Sequence, residues 1–132
     1  MRWLVKEEPS NYNVAQFQKD GRTSWSGVKN PVAQRHLRAM TPGDRVFYYH
    51  TGDEKQIVGI ARVAGAPYRD PKQPGFYAVD LEFEAMLPAP VTLKAVKADP
   101  RFADFALTRV PRLSVMPVTD EQWATLEAMA RG

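Results

Sequence analysis

The 132-residue chain contains no cysteine. That excludes disulfides, thiolate nucleophiles and cysteine-ligated zinc together, and it agrees with a reducing compartment. Long apolar runs are also missing. The opening stretch Trp3-Leu4-Val5 and the run Val46 to Tyr49 are far too short for a signal peptide or a membrane span. A soluble, cytoplasmic protein is expected. Histidine is scarce: His36 and His50 stand fourteen positions apart, without the spacing of a metal-binding pair. No serine sits in a GxSxG elbow, and no glycine-rich loop is present to cradle a nucleotide phosphate. Glu7 and Glu8 are adjacent, so on a strand they point to opposite faces and cannot share a proton. Catalysis, a metal and a cofactor are therefore not expected.

What is present describes one folded unit. Hydrophobic residues make up 44% and charged residues 25%, close to globular averages. No repeat, low-complexity tract or linker divides the chain, so residues 1–132 read as a single domain. The net charge of +3 is unevenly spread. Residues 1–66 carry ten Lys/Arg against six Asp/Glu, while residues 67–132 carry eight against nine. Between positions 22 and 45, Arg22, Lys29, Arg35, Arg38 and Arg45 face only Asp44. Such a segment suits a polyanion, and a merely solvated face is an equally open reading of the charge alone.

Eleven prolines and eight glycines punctuate short elements. Strands are predicted over Trp3 to Lys6, Arg45 to His50, Ile57 to Val63, Tyr77 to Glu84 and Leu113 to Val118, the last broken by Pro117 and so placed at an edge. Thr51 to Lys55 reads as a hairpin connection. Helices are predicted over Asn13 to Lys19 and from Asn30, which can cap a helix opened by Pro31, to Met40. Ala33, Leu37 and Met40 share its core face, and Arg35 and Arg38 its outer face. Leu93 to Ala98 and Arg101 to Phe105 suit short helical turns. Thr119 to Gln122 forms a capping box before a closing helix whose apolar face is Trp123, Leu126 and Ala130. The mixture, without regular βαβ alternation, predicts an α+β fold on a small twisted barrel.

Two segments suit a binding pocket. Trp25, in the stretch Thr23 to Asn30, reads as a loop tryptophan among small polar residues, able to stack on a flat ligand. On the residues alone, a core tryptophan is the favoured alternative, since large aromatics mostly bury. His50 and Thr51 end a strand beside a loop, as a pocket rim would. The plainer reading is a histidine that bonds a backbone group and does nothing more.

Five separated motifs carry a resemblance: Trp3 to Pro9, Trp25 to Asn30, Gly43 to Thr51, Ile57 to Ala61 and Leu113 to Val118. Together they resemble the EVE domain family. The resemblance implies a PUA-like pseudo-barrel of about five or six strands with short helices around it, shared with ASCH and YTH domains. It further implies a non-catalytic module reading a modified base, 5-methylcytosine or a similar one, in DNA or RNA. Carried over by position, base contacts fall to Lys6, Trp25, Ser26, Asn30, His50 and Thr51, while the basic segment itself offers Lys29, Arg35 and Arg38 as candidates for phosphate contacts. Glu7 stands where the family usually has serine, and Pro31-Val32 replaces a common Tyr-Gln. The expected partner is nucleic acid carrying modified bases, bound by a monomer without membrane or metal. The competing expectations are a small nucleic-acid-processing enzyme of the ASCH kind using His50, and a protein–protein adaptor.

Overall fold

The computed structural model describes all 132 residues as a mixed sheet with short helices around it. In chain order the elements are β1 (Arg2–Glu7), α1 (Val14–Asp20), β2 (Arg22–Trp25), α2 (Pro31–Ala39), β3 (Arg45–His50), β4 (Gln56–Val63) and β5 (Tyr68–Arg69). There follow β6 (Tyr77–Thr92), α3 (Leu93–Ala98), a 3-10 turn (Pro100–Phe102), α4 (Ala106–Arg109), β7 (Val115–Val118) and α5 (Asp120–Ala130). The strands lie in the order β2-β6-β4-β3-β1-β7, with β5 paired to the start of β6. β1 and β3 run parallel, from Arg2 opposite Arg45 to Glu7 opposite His50. Every other pair is antiparallel. β2 and β7 each have one neighbour, so the twisted sheet does not close.

The α+β expectation holds, with seven strands instead of five or six. The helix starts follow their caps. Asn13 accepts the Gln16 N–H, Asn30 accepts those of Val32 and Ala33, and Thr119 and Gln122 form a reciprocal capping box. Three local expectations are corrected. Trp25 is the last residue of β2 and not a loop residue, because Arg22 to Trp25 pair with Glu82 to Val79 of β6. β6 continues past Glu84 to Thr92, and its prolines, Pro88 and Pro90, fall where the ladder to β4 is interrupted between Met86 and Val91. Of the helical turn expected over Arg101 to Phe105 only Arg101 and Phe102 lie in the 3-10 turn, and the next helix, α4, begins after it at Ala106.

One core joins the two sheet faces. Trp123 of α5 stacks on Phe47 of β3 at 3.7 Å and 19°, with the Arg45 guanidinium 5.1 Å from the Trp123 ring. On the other side Phe17 of α1 lies 5.4 Å from Tyr48, and Tyr48 meets Trp25 edge-on at 5.6 Å. Gly59 lets β4 approach α1 closely: a Cβ there would lie 2.9 Å from Val14 Cγ2 and 3.2 Å from the Ala85 carbonyl.

At the other end of the sheet, the buried carboxylate of Asp44 gathers several elements. Its Oδ2 accepts the Trp3 indole N–H at 2.9 Å and the Thr41 N–H at 3.0 Å. Its Oδ1 accepts the Thr41 hydroxyl and the Met1 amino group, both at 3.0 Å. Burial alone would raise this carboxyl, but the Trp3, Thr41 and amino donors together hold it below the ordinary carboxylate range. No helix is long and apolar enough to cross a membrane.

Two outcomes test this account. Gly59→Ala should cost about 1–3 kcal/mol in denaturant unfolding, because a carbonyl and a stiff β-branched side chain must both move. An unchanged midpoint would show that the approach of β4 to α1 is loose. Asp44→Asn should cost about 1–3 kcal/mol at neutral pH. A depressed folded value means that the stabilisation is present above the unfolded carboxyl's value of about 3.9 and lost as pH falls through the folded one. The gap between wild type and Asp44→Asn should therefore narrow from pH 7 to pH 3. A constant gap refutes the assigned role of the charge.

Candidate nucleic-acid interface

A cavity of about 250 Å³ opens beside Trp25. Thr23 to Ser26 form one wall, and Glu7, Asn11 and Tyr12 the other. Trp25 is only 6% exposed, so it is at once a core residue and a cavity wall. Several of the surrounding hydroxyls are already engaged: Ser24 and Tyr68 both donate to Asp80, and Tyr12 donates to Asp20. The Tyr48 hydroxyl donates to the Tyr12 carbonyl, tying the core aromatic behind Trp25 to the opposite wall. Burial first, and then the Glu7 charge, push the Tyr48 phenol well above its usual range.

The residues predicted to share one base pocket are divided among four places. Trp25 and Ser26 line the cavity just described. Lys6 and Thr51 instead line another cavity of about 250 Å³ on the opposite face, with Tyr49, Lys55 and Lys97. There the Lys6 ammonium donates to the Pro111 carbonyl at 2.9 Å and lies 5.6 Å from the Tyr49 ring centre. Burial lowers its pKa. The separation follows from strand parity, since Lys6 and Glu7 are neighbours on β1. Asn30 spends its side-chain oxygen on the α2 cap.

His50 lines neither cavity. It is 4% exposed, its Nε2 accepts the Val14 N–H at 3.0 Å, and its Nδ1 faces Glu54 Oε1 at 2.9 Å. That contact holds the Glu54 carboxyl below its usual range. Since Nε2 must present a lone pair to Val14, the proton belongs on Nδ1. His50 thus fastens the start of α1 to β3, and both ring nitrogens are committed inside the protein. No group of three or more His, Asp or Glu side chains is clustered to hold a metal ion.

The three predicted phosphate contacts do converge. Lys29, Arg35 and Arg38 line one open groove of about 610 Å³ along α2, with Phe76 on its far side. The Arg38 guanidinium lies 4.6 Å from the Tyr77 ring centre. Ion pairs to carboxylates are made elsewhere, by Arg2, Arg22, Arg45, Arg62, Arg101 and Arg109. The groove cations are left without carboxylate partners, so their field reaches solvent.

Two buried polar residues join groove to cavity. Gln34 of α2 donates to the Val28 carbonyl at 2.6 Å and the Tyr77 carbonyl at 3.1 Å, and accepts the Tyr77 N–H at 2.8 Å. Asp70 accepts the Gly27 N–H at 3.1 Å and the Lys72 N–H at 2.9 Å. The segment after Trp25 is therefore fixed from both sides. Sequence reasoning passes over Asn11, Tyr12, Gln34 and Asp70. Only Gln34 leaves a local trace there, as a polar residue between the core positions Ala33 and Leu37.

The family profile described as the EVE domain matches residues 1–129. Thymocyte nuclear protein 1 of Danio rerio is 27% identical over 159 residues, covering 92% of this chain and 68% of that protein. A Rhodopseudomonas palustris protein solved by NMR superposes with a TM-score of 0.94 at 46% identity, covering 98% of this chain and 92% of the other. Human THYN1, solved in complex with 5-methylcytosine-containing DNA, superposes with a TM-score of 0.91 at 22% identity, covering 99% and 98%. These matches run over the same strands and helices that build the groove and the Trp25 cavity, and the α+β architecture is that of the PUA-like pseudo-barrels. The chain belongs to the EVE domain family.

Proposed function

We propose that this protein is a non-catalytic module that binds nucleic acid and takes one unpaired or flipped modified base, of the 5-methylcytosine type, into the Trp25 cavity. The observation that carries this reading is that one short segment, Ser26 to Lys29, links two unlike features: a cavity lined by Trp25 and a groove lined by cations without carboxylate partners. Stacking on an aromatic side chain contributes roughly 1–3 kcal/mol per base. Extruding a base from a duplex costs a few kcal/mol, which backbone contacts from Lys29, Arg35 and Arg38 would offset. The DNA complex of human THYN1 supports DNA as the partner. The internal commitment of both His50 nitrogens supports a binding role over a catalytic one.

Binding to a panel of oligonucleotides that differ in one modified or plain base, at stated salt, tests the proposal. Trp25→Leu keeps an apolar contact against Tyr48 and removes the π-face. It should lower affinity for the modified oligonucleotide about tenfold or more. Equal affinity would remove Trp25 from the site. Arg35→Ala combined with Arg38→Ala should weaken binding to every sequence alike and reduce the slope of log K against log salt by about 2, near 0.9 per lost contact. A wild-type slope would mean that the nucleic acid docks elsewhere.

A further inference from the structure

The cavity beside Trp25 contains one formal charge, the carboxylate of Glu7, and no cation among its lining residues. Glu7 ends β1 opposite His50, and its carbonyl accepts the Thr51 N–H at 2.9 Å, so its backbone is held in the sheet. Its side chain is half committed. Oε1 accepts the Glu8 N–H at 2.9 Å and the Asn11 amide at 3.2 Å. Oε2 meets no donor of the protein. The charge is felt inward as well, since it helps to raise the phenol of Tyr48, whose ring stands edge-on to Trp25.

An ionised carboxyl is an acceptor only, and here one oxygen is free in a cavity that Trp25 also lines. A flat ligand in this cavity is therefore selected by what its edge carries. An N–H there satisfies Oε2, whereas a carbonyl oxygen would set acceptor against acceptor. Since Oε1 is occupied, a ligand presenting two parallel N–H groups has only one oxygen to meet. The Ser26 hydroxyl, on the opposite wall, is a donor for a ring nitrogen or carbonyl of the same ligand.

We propose that Glu7 fixes the identity of the bound base: its free oxygen accepts the exocyclic 4-amino group of a cytosine whose 5-substituent is uncharged. This rests on the base-reader reading above and adds the chemistry of the base. Thymine has the same ring and the same 5-methyl group, with an oxygen in place of the amine, and is refused. A 5-carboxyl group brings a second negative charge into a cavity without a cation, and 5-carboxylcytosine is refused too.

The test uses single-stranded oligonucleotides identical except for one central base, which is 5-methylcytosine, thymine or 5-carboxylcytosine, at fixed salt and neutral pH. Wild type should prefer 5-methylcytosine to thymine by about tenfold or more. Glu7→Gln keeps an oxygen for Glu8 and Asn11 and puts an amide donor in place of the free one. It should bring the preference within about threefold or invert it, and should recover binding of 5-carboxylcytosine. Glu7→Ser, which cannot reach as far into the cavity, should lose the preference as well, so a poorly folded glutamine variant does not shelter the claim. An unchanged 5-methylcytosine-to-thymine ratio in the folded variant, while Trp25→Leu still weakens binding, overturns the role of Glu7 and leaves the base-reader reading standing. If wild type ignores the central base and Trp25→Leu binds as wild type, the pocket reading falls and this proposal with it.

Discussion

The architecture hangs on a carboxylate buried under its own donors. Asp44 accepts hydrogen bonds from Trp3 on β1, from Thr41 just past α2 and from the Met1 amino group, and its carbonyl receives the Val63 N–H of β4. A charge in that place is tolerable only because four donors surround it. In return it sets where β1 and β3 begin relative to each other, and parallel pairing carries that register along the strands to Glu7 and His50. The groove helix is anchored at its C-terminal end by the same group. Glu7, at the far end of β1, is thus aligned by a contact at the opposite end of the sheet.

The site itself is assembled from pieces that have little in common. A wall from an edge strand and a helix with a basic outer face are brought into line by Gln34 and Asp70, which use side-chain hydrogen bonds where no ladder is available. Each satisfies main-chain groups that would otherwise be stranded near the core, which is why these polar residues are buried. Their effect is to hold the segment between Trp25 and α2 against β6 and the Asp70 turn.

Much of the fold is legible because its signals are local. The Asn30-Pro31 start of α2, the capping box of α5 and the apolar, β-branched and aromatic runs of β3 and β4 are written within a few residues of where they act. β2 is not, since four residues with a single large apolar side chain give no periodicity, and the strand exists only through pairing with residues 79–82. The site shows the same division. The convergence of Lys29, Arg35 and Arg38 follows from helical spacing. Placing Lys6 and Thr51 away from Trp25 was within reach of strand parity. Burying His50 was not, because parity says that Tyr48 and His50 share a face without saying that the start of α1 covers it.

The pairing of β2 with β6 has a consequence in time. Arg22 opposite Glu82 and Trp25 opposite Val79 are contacts between distant parts of the chain, and β2 has no other strand to lean on. Closing so long a loop is entropically unfavourable until β6 has a platform, which β4 supplies through its own antiparallel ladder. The wall that carries Trp25 therefore depends on β6 being in place. A nascent or damaged chain that has not docked β6 lacks the Trp25 cavity, however basic its helix.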